Sequence, residues 1–259
     1  MTTMPAVFFG HGSPMNTLED NRYTQSWQAF GARTPRPRAI LAISAHWFIN
    51  ATAVTAMEQP RTIHDFFGFP KQLFDYEYAA PGDPALAAEV IDLVAPTWVG
   101  LDRDSWGLDH GTWSVLAHAY PAADIPVVQL AINATLPWEY HLALGRALAP
   151  LRDENVLIVG SGLSYHNLRA FGPQARDVSK AFDDWLDAAV VKGAPAERAA
   201  QLQNWAAAPA ARMAHPREEH LIPLMVAVGA AEAEAGERVY HEDAFMGGLV
   251  VSSYRFGGV

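Results

Sequence analysis

Val156-Leu157-Ile158-Val159-Gly160 is a continuous apolar run in a chain of 259 residues. It is rich in β-branched side chains, and such a run predicts a strand that is covered on both faces. Other short apolar runs alternate with longer stretches of helical character. The strand candidates are Pro5–Phe9, Ala39–Ser44, Ala51–Met57, Pro126–Ala131, Val156–Gly160 and Gly248–Phe256. The helix candidates are Asn21–Phe30, Pro84–Ala95, Thr112–Tyr120, Pro137–Leu151, Arg176–Lys192, Glu197–Ala207 and Arg217–Gly229. This alternation predicts an α/β fold, a single domain over residues 1–259 with a central mixed or parallel sheet flanked by helices on both faces.

The composition excludes several classes of partner and site. The 28 acidic residues outnumber the 18 basic ones and give a net charge of −10, so a polyanion such as nucleic acid would be repelled. The chain has no cysteine, and any metal must therefore rest on nitrogen and oxygen ligands. No apolar run is long enough to span a membrane, and the first residues lack the pattern of a secretory signal. The sequence therefore predicts a cytoplasmic protein without a membrane or nucleic-acid partner.

Four of the ten histidines stand where an α/β enzyme would place metal ligands. His11, His46 and His166 each follow a strand candidate, and His220 stands in the first turn of a predicted helix. Imidazole is the commonest transition-metal ligand, and open α/β sheets gather their ligands at strand ends. Taken one at a time, each could also be a turn, core or surface histidine. As a group they predict one catalytic metal.

Two further stretches carry candidates for catalysis and substrate binding. In Asp109-His110-Gly111 the histidine is a candidate general acid or base, although Asp109 could equally serve only as a helix cap. The stretch Thr62–Tyr78 is aromatic and irregular, which predicts a pocket wall or lid, or else a loop held to the core by its own aromatic side chains. The candidate substrate contacts are His64, Asn167 and His215.

Local signals predict two helix starts and one turn. Asp83 before Pro84 is typical of a helix N-cap followed by a first-turn proline. Pro137 is expected to open its helix, with no capping side chain at Leu136. Gly160-Ser161-Gly162 is interpreted as a turn after its strand, without the lysine of a phosphate-binding loop.

Taken in order along the chain, the motifs resemble the 4,5-DOPA dioxygenase-like branch of the class III extradiol ring-cleaving dioxygenases. The matching stretches are Gly10-His11-Gly12-Ser13-Pro14-Met15, Ser44-Ala45-His46-Trp47, Thr62-Ile63-His64-Asp65-Phe66, Asp109-His110-Gly111-Thr112-Trp113, His166-Asn167-Leu168 and Pro216-Arg217-Glu218-Glu219-His220-Leu221-Ile222-Pro223-Leu224. They extend over almost the whole chain.

The resemblance implies a single α/β domain that opens a catechol-type ring with dioxygen at one divalent metal. It implies that His11, His46 and His220 bind the metal and that His166 is a fourth ligand or the catalytic base. Glu219 beside His220 leaves the third ligand open, because a related branch uses a glutamate there. His110 would stabilise a charged oxygen or deliver a proton. Fe(II) is expected for turnover, and Zn(II) is plausible as a bound metal because the ligands would accept it.

Two other functions remain open at this stage. The same histidines could hold zinc in a hydrolase, where the metal activates water. The scaffold could also belong to a relative that binds metal without catalysis. The sequence leaves the preferred catechol and the oligomeric state undetermined.

Overall fold

The computed structural model describes residues 3–258, which form one eight-stranded mixed sheet. The strands are β1 (Ala6–Gly10), β2 (Ala39–Ile49), β3 (Ala53–Thr55), β4 (Gly100–Asp102), β5 (Val127–Asn133), β6 (Val156–Gly162), β7 (Gly236–Phe245) and β8 (Leu249–Phe256). Their order in the sheet is β4-β3-β5-β2-β6-β1-β8-β7. The inner strands β5, β2, β6 and β1 are parallel, whereas β8 runs antiparallel to both of its neighbours. The predicted α/β fold with a mixed sheet is confirmed.

The helices cover both faces of this sheet. Within residues 3–258 the α-helices are α1 (Arg22–Arg33), α2 (Lys71–Phe74), α3 (Pro84–Val94), α4 (His110–Ala119), α5 (Trp138–Leu148), α6 (Arg176–Asp187), α7 (Pro195–Gln203), α8 (Ala211–Ala214) and α9 (Ile222–Ala230). Successive side chains of a strand point to opposite faces, so Leu41 and Ile43 of β2 pack on one side and Ile40 and Ala42 on the other. Side chains of α3, α5, α6 and α9 join the first cluster, and those of α1 and α4 join the second. None of these helices combines the length and the apolar character needed to cross a membrane.

Two helix-start predictions agree with the structure. Asp83 is the N-cap of α3, and its side chain accepts hydrogen bonds from the backbone N–H groups of Ala85 and Leu86. The helix predicted at Pro137 does begin there, and Pro137 at the N-cap position makes no side-chain capping bond. The start of α3 follows from local capping chemistry, because the Asp83 side chain accepts from N–H groups of the first turn, whereas Pro137 contributes only its fixed φ angle at the start of α5.

Other boundaries were predicted wrongly. The helix predicted over Arg217–Gly229 begins only at Ile222, and His220 therefore lies in the turn before α9. Strand β6 continues through Gly162, so Gly160-Ser161-Gly162 is part of the strand and not a turn. Strands β4 and β7 were missed. The first has only three residues, and the second is an edge strand that carries several exposed charged side chains and therefore lacks a continuous apolar run.

Candidate metal centre and active site

Five histidines meet at the carboxyl edge of the inner parallel strands. His11 directly follows β1, His46 lies within β2, and His166 follows the end of β6. His110 is the first residue of α4, and His220 occupies the turn before α9. The carboxyl edge is where open α/β sheets place their ligands, and the structure brings all four predicted metal ligands and the predicted acid–base residue His110 to this edge.

An irregularity in β2 sets the position of His46. The register of β2 on β5 passes from Ile43 opposite Leu130 to Phe48 opposite Ile132, with the irregular stretch between them. Bulges of this kind bend a strand and redirect its side chains, and they are frequent beside active sites. Here the Nε2 atom of His46 lies 3.4 Å from the Nε2 atom of His11.

Three of the rings form a nearly regular triangle. The centroid of His11 lies 5.1 Å from that of His46 and 5.5 Å from that of His220, and the centroids of His46 and His220 are 5.1 Å apart. Rings bound through Nε2 to one tetrahedral metal at about 2.0–2.1 Å would have centroids about 5 Å apart and nitrogens about 3.3 Å apart. The triangle therefore has the spacing that a single metal ion requires.

The other nitrogen of each ring in the triangle is already engaged. Every Nδ1 atom faces an oxygen, and Nε2 is left for the pocket. The partners are Ser161 Oγ for His11 at 3.0 Å, an Asp65 carboxylate oxygen for His46 at 3.1 Å, and Glu219 Oε1 for His220 at 3.2 Å. The Ser161 hydroxyl donates to the Gly111 carbonyl, so towards His11 it is an acceptor. With the Nδ1 atoms donating, the Nε2 atoms carry lone pairs, and the facing lone pairs of His11 and His46 call for a cation between them.

The two remaining histidines lie against members of this triangle. The ring of His110 lies on that of His46 with centroids 3.9 Å apart, and its Nδ1 faces Asp65 Oδ1 at 2.9 Å. The ring of His166 stacks on that of His220 with centroids 3.4 Å apart. These centroid distances are shorter than the 5.1–5.5 Å between rings of the triangle, so His110 and His166 stand apart from the three rings whose spacing suits one metal.

Donor atoms that lie within 4.8 Å of one another form two adjoining groups. His11, His46 and His110 make up the first, and His166, Glu219 and His220 make up the second. Either group has the chemistry of a metal site, since imidazole and carboxylate are ligands for first-row metals. The triangle consists of His11 and His46 of the first group and His220 of the second, so it lies where the two groups adjoin.

The electrostatics of the site suit a divalent cation. Burial lowers the pKa of His11 well below its ordinary value, with His46 adding to the effect, and burial likewise lowers the pKa of His220. Burial would raise the pKa of Asp65 and Glu219, but hydrogen bonds from their histidines outweigh it and hold both carboxyl groups ionised. Two carboxylates behind rings that bind metal only in the neutral form leave negative charge that a metal ion would balance.

His46 differs from the other two rings of the triangle. Burial lowers its pKa, but the hydrogen bond to Asp65 and the charge of Asp109 raise it by more, so the net shift is upward. A metal ion bound to both rings would therefore displace a proton more often at His46 than at His11. Metal affinity is expected to rise with pH for that reason.

A buried polar network supports the base of the site. Asp109 caps α4 and accepts a hydrogen bond from Ser44 Oγ at 2.6 Å, and burial raises the pKa of its carboxyl group. Gly111 lies against this network. A Cβ atom there would stand 2.5 Å from Ser44 Oγ and 2.9 Å from Cδ2 of His46, so only glycine lets α4 approach β2 this closely.

The aromatic segment 62–78 both packs on the core and covers the site. It is irregular apart from the short helix α2, as predicted. Tyr78 is buried, and the ring of Phe66 lies 5.5 Å from that of His110. Asp65, in the same segment, reaches His46 and His110. The two interpretations left open by the sequence are therefore compatible, because the side chains that hold the segment to the core also place it over the histidines.

The three predicted substrate contacts do not join the cluster. His64 faces the Tyr76 carbonyl at 2.9 Å within the aromatic segment. Asn167 caps a short 3-10 helix and donates to the Met213 carbonyl at 2.8 Å, which engages its amide. His215 is fully buried, with Nε2 3.0 Å from the Ser164 carbonyl. Their placement outside the cluster gives the predicted substrate contacts no support.

Sequence reasoning missed Asp65 and Ser161 as residues that orient the histidines, and it considered Glu219 only as an alternative metal ligand. Asp65, Ser161 and Glu219 each face a ring Nδ1 atom. The sequence does offer a clue to the two acidic residues, because each adjoins a histidine: Asp65 follows His64 and Glu219 precedes His220. For Asp65 this clue is misleading, because the Asp65 side chain contacts His46 and His110 and not the adjacent His64.

Comparison with known proteins assigns this chain to a family of enzymes. A family model described as the catalytic LigB subunit of aromatic ring-opening dioxygenase matches residues 5–257. The chain belongs to this family. It is 45% identical to "4,5-DOPA dioxygenase extradiol" of Escherichia coli (strain K12), over 99% of this chain and 96% of that protein. It is 38% identical to the protein of the same name from Beta vulgaris, over 96% of this chain and 95% of the other.

A solved structure has the same fold. The crystal structure of an uncharacterized protein from Escherichia coli K12 matches with a TM-score of 0.84 and 40% identity, over 98% of this chain and all of that one. Together the family and the full-length relatives show that this LigB-family chain is an enzyme, an extradiol ring-cleaving dioxygenase. The resemblance drawn from the motifs is confirmed, and the dioxygenase is favoured over a zinc hydrolase or a non-catalytic relative.

Proposed function

We propose that this dioxygenase binds one divalent metal through the Nε2 atoms of His11, His46 and His220 and opens catechol-type rings such as that of DOPA. The triangle of ring centroids at 5.1, 5.5 and 5.1 Å carries this proposal, because it matches the spacing of three rings on one metal. The names of the relatives support DOPA as a substrate. Fe(II) is the metal proposed for turnover. When bound, iron supplies the electron exchange between catecholate and dioxygen that redox-inert zinc cannot.

His166 is proposed as the base that takes a phenolic proton. Its Nδ1 faces Glu219 Oε1 at 3.1 Å, so in the neutral ring the proton lies on Nδ1 and Nε2 presents a lone pair. Glu219 stabilises the imidazolium that forms when Nε2 receives the proton, as an ionised carboxylate behind an imidazole does in other general bases. The stacking of His166 on His220 supports a base that lies beside the proposed metal and is not part of the triangle.

His110 is proposed as a second proton-transfer group. Asp65 Oδ1 faces its Nδ1 atom, so a neutral His110 also presents a lone pair at Nε2. Burial, with the help of nearby His46, lowers its pKa despite Asp65. It must therefore accept a proton from the substrate before it returns one to the product or stabilises a charged oxygen.

The aromatic segment supplies the remaining function of the pocket, which is to exclude water. Phe66 lies edge-on to His110 and contacts Phe69 and Phe74 in the same segment. These side chains form an apolar cover suited to a planar aromatic ring. A small aromatic diol and dioxygen are the proposed partners.

Anaerobic reconstitution with Fe(II), followed by oxygen-uptake measurements over a series of substituted catechols including DOPA, tests the proposal. We expect oxygen uptake and a yellow semialdehyde with Fe(II), neither with Zn(II), and neither from the His46→Ala variant. His241→Gln, a substitution on β7 away from the cluster, serves as the matched histidine control. Hydrolysis of esters or amides sustained by Zn(II), without oxygen uptake on any catechol, would refute the proposal.

A further inference from the structure

The two carboxylates behind the histidines use their oxygens differently. Asp65 divides its two oxygens between two histidines: Oδ1 accepts from the backbone N–H of His110 at 3.0 Å and faces its Nδ1 at 2.9 Å, while Oδ2 faces Nδ1 of His46 at 3.1 Å. Glu219 serves its two rings with one oxygen. Its Oε1 faces Nδ1 of His166 at 3.1 Å and Nδ1 of His220 at 3.2 Å, and its Oε2 accepts from Nε of Arg217 at 2.9 Å.

We infer that Asp65 is a positioning residue that sets the tautomer of His46, and that both of its oxygens are needed for this. A carboxylate only accepts hydrogen bonds, so it places a proton on Nδ1 of each ring and leaves a lone pair on each Nε2. The inference deepens the proposed function, since it rests on His46 as a metal ligand, but it does not depend on the substrate.

Replacing the carboxylate by an amide should separate the two sites. In Asp65→Asn the amide oxygen stays with His110, because two donors of that residue face it. The amide N–H2 then faces His46 and donates to Nδ1, which moves the ring proton to Nε2, the atom that the metal needs. In Glu219→Gln the amide oxygen can remain between His166 and His220, and the N–H2 group faces only Arg217, whose side chain is 68% exposed and free to move away.

The two substitutions form a matched pair. Each removes one negative charge and changes almost no volume, and each carboxylate is bound to two histidines. General loss of charge or packing therefore weakens metal binding similarly in both. Only a change of tautomer at His46 would make the two variants differ, because Asp65 divides its oxygens between its two rings and Glu219 does not.

Asp65 also links the aromatic segment to the metal site. It is followed by Phe66, whose ring lies edge-on to that of His110. Its own carboxylate contacts His46 on β2 and His110 on α4. A ligand tautomer is thus set by a side chain outside the sheet and helices. Metal binding is expected to hold this part of the segment against α4.

Two readouts test the inference without any measurement of turnover. The first is the dissociation constant for Zn(II), by competition with a chelator. Asp65→Asn is expected to bind at least about tenfold more weakly than Glu219→Gln, within the 10- to 100-fold range typical of such partners. The control Asp75→Asn, an exposed aspartate of the same segment, is expected to bind like the wild type.

The second readout is the tautomer itself, from the ¹⁵N shifts of the histidine rings in the metal-free protein at alkaline pH. We expect the proton of His46 on Nδ1 in the wild type and on Nε2 in Asp65→Asn. Where the variant does not fold, the wild-type spectrum still tests whether the ring proton of His46 lies on Nδ1. Equal affinities of the two amide variants, or a His46 proton on Nε2 in the wild type, would overturn the inference. A wild type with the expected tautomer that binds no metal would instead refute the proposed function.

Discussion

The ring of His166 stacks on the ring of His220 with centroids 3.4 Å apart and planes 18° from parallel, and both Nδ1 atoms face the same oxygen of Glu219. One carboxylate thus orients a proposed ligand and a proposed base together. A parallel arrangement joins His46 and His110 through Asp65. The site is built from two acid-linked histidine pairs and completed by His11, which Ser161 orients.

The stacked pair of His166 and His220 offers a test of whether His166 is the base or a fourth metal ligand. If it is the base, His166→Gln should lower kcat by about 10²- to 10⁴-fold and leave the dissociation constant of the metal nearly unchanged. His220→Gln should release the metal. Chelator competition on both variants, combined with oxygen-uptake kinetics, provides the comparison. A loss of metal from His166→Gln as large as that from His220→Gln would make His166 a ligand.

Metal binding should stabilise the folded state, because the ligand rings are brought together only by folding. Zn(II) at 100 times its dissociation constant is expected to add about 2.7 kcal/mol to the free energy of unfolding and to raise Tm accordingly. His46→Ala should remove most of this increase. Thermal unfolding with and without metal measures the effect, with His241→Gln as control. A metal-induced rise in Tm that survives in His46→Ala would place the ion elsewhere.

Gly111→Ala should disturb the site through packing. The added Cβ would meet Ser44 Oγ and the ring of His46, and overpacking of this kind costs about 1–3 kcal/mol of stability. Since His46 is one of the displaced groups, Zn(II) affinity should fall as well. Urea unfolding and chelator competition measure the two effects. Gly193→Ala, whose nearest atom would be a carbonyl oxygen at 3.3 Å, is expected to change neither by a comparable amount.

Two buried histidines outside the site should make the fold sensitive to acid. Burial lowers the pKa of His141 and of His215 to about 4, and Nε2 of His141 accepts a hydrogen bond from the backbone N–H of Asn133 that protonation would break. The unfolded chain protonates these groups near pH 6.5, whereas the folded chain resists until about pH 4. The free energy of unfolding should therefore fall between those values, by about 2 kcal/mol per histidine at pH 5.

Urea unfolding of the metal-free protein between pH 7 and pH 5 measures this loss. The His141→Gln variant should show a shallower dependence on pH, whatever its stability at pH 7, because it lacks one of the two groups. An identical slope in the variant and the wild type would contradict the assignment to His141.

The periodicity of apolar residues and the order of motifs along the chain were sufficient to predict the fold class and the gathering of histidines at one edge of the sheet. Apolar runs such as Val156–Gly160 predict buried strands because burial on both faces demands apolar side chains throughout. Strand ends on a parallel sheet necessarily share an edge, so His11, His46 and His166 were expected together. Local capping chemistry also sufficed at Asp83, because its hydrogen bonds span only three residues.

Contacts between residues distant in the chain determine which nitrogen of each histidine ring carries the proton. Asp65 reaches His110 across 45 positions, and Ser161 reaches His11 across 150. No local pattern encodes such pairs, since they follow from how α4, β6 and the aromatic segment pack around β2. The turn that carries His220 was likewise misplaced, because apolar packing of α9 on the sheet determines where that helix begins. The residue types at the proposed metal centre can thus be predicted from the sequence, but their protons and orientations follow from packing.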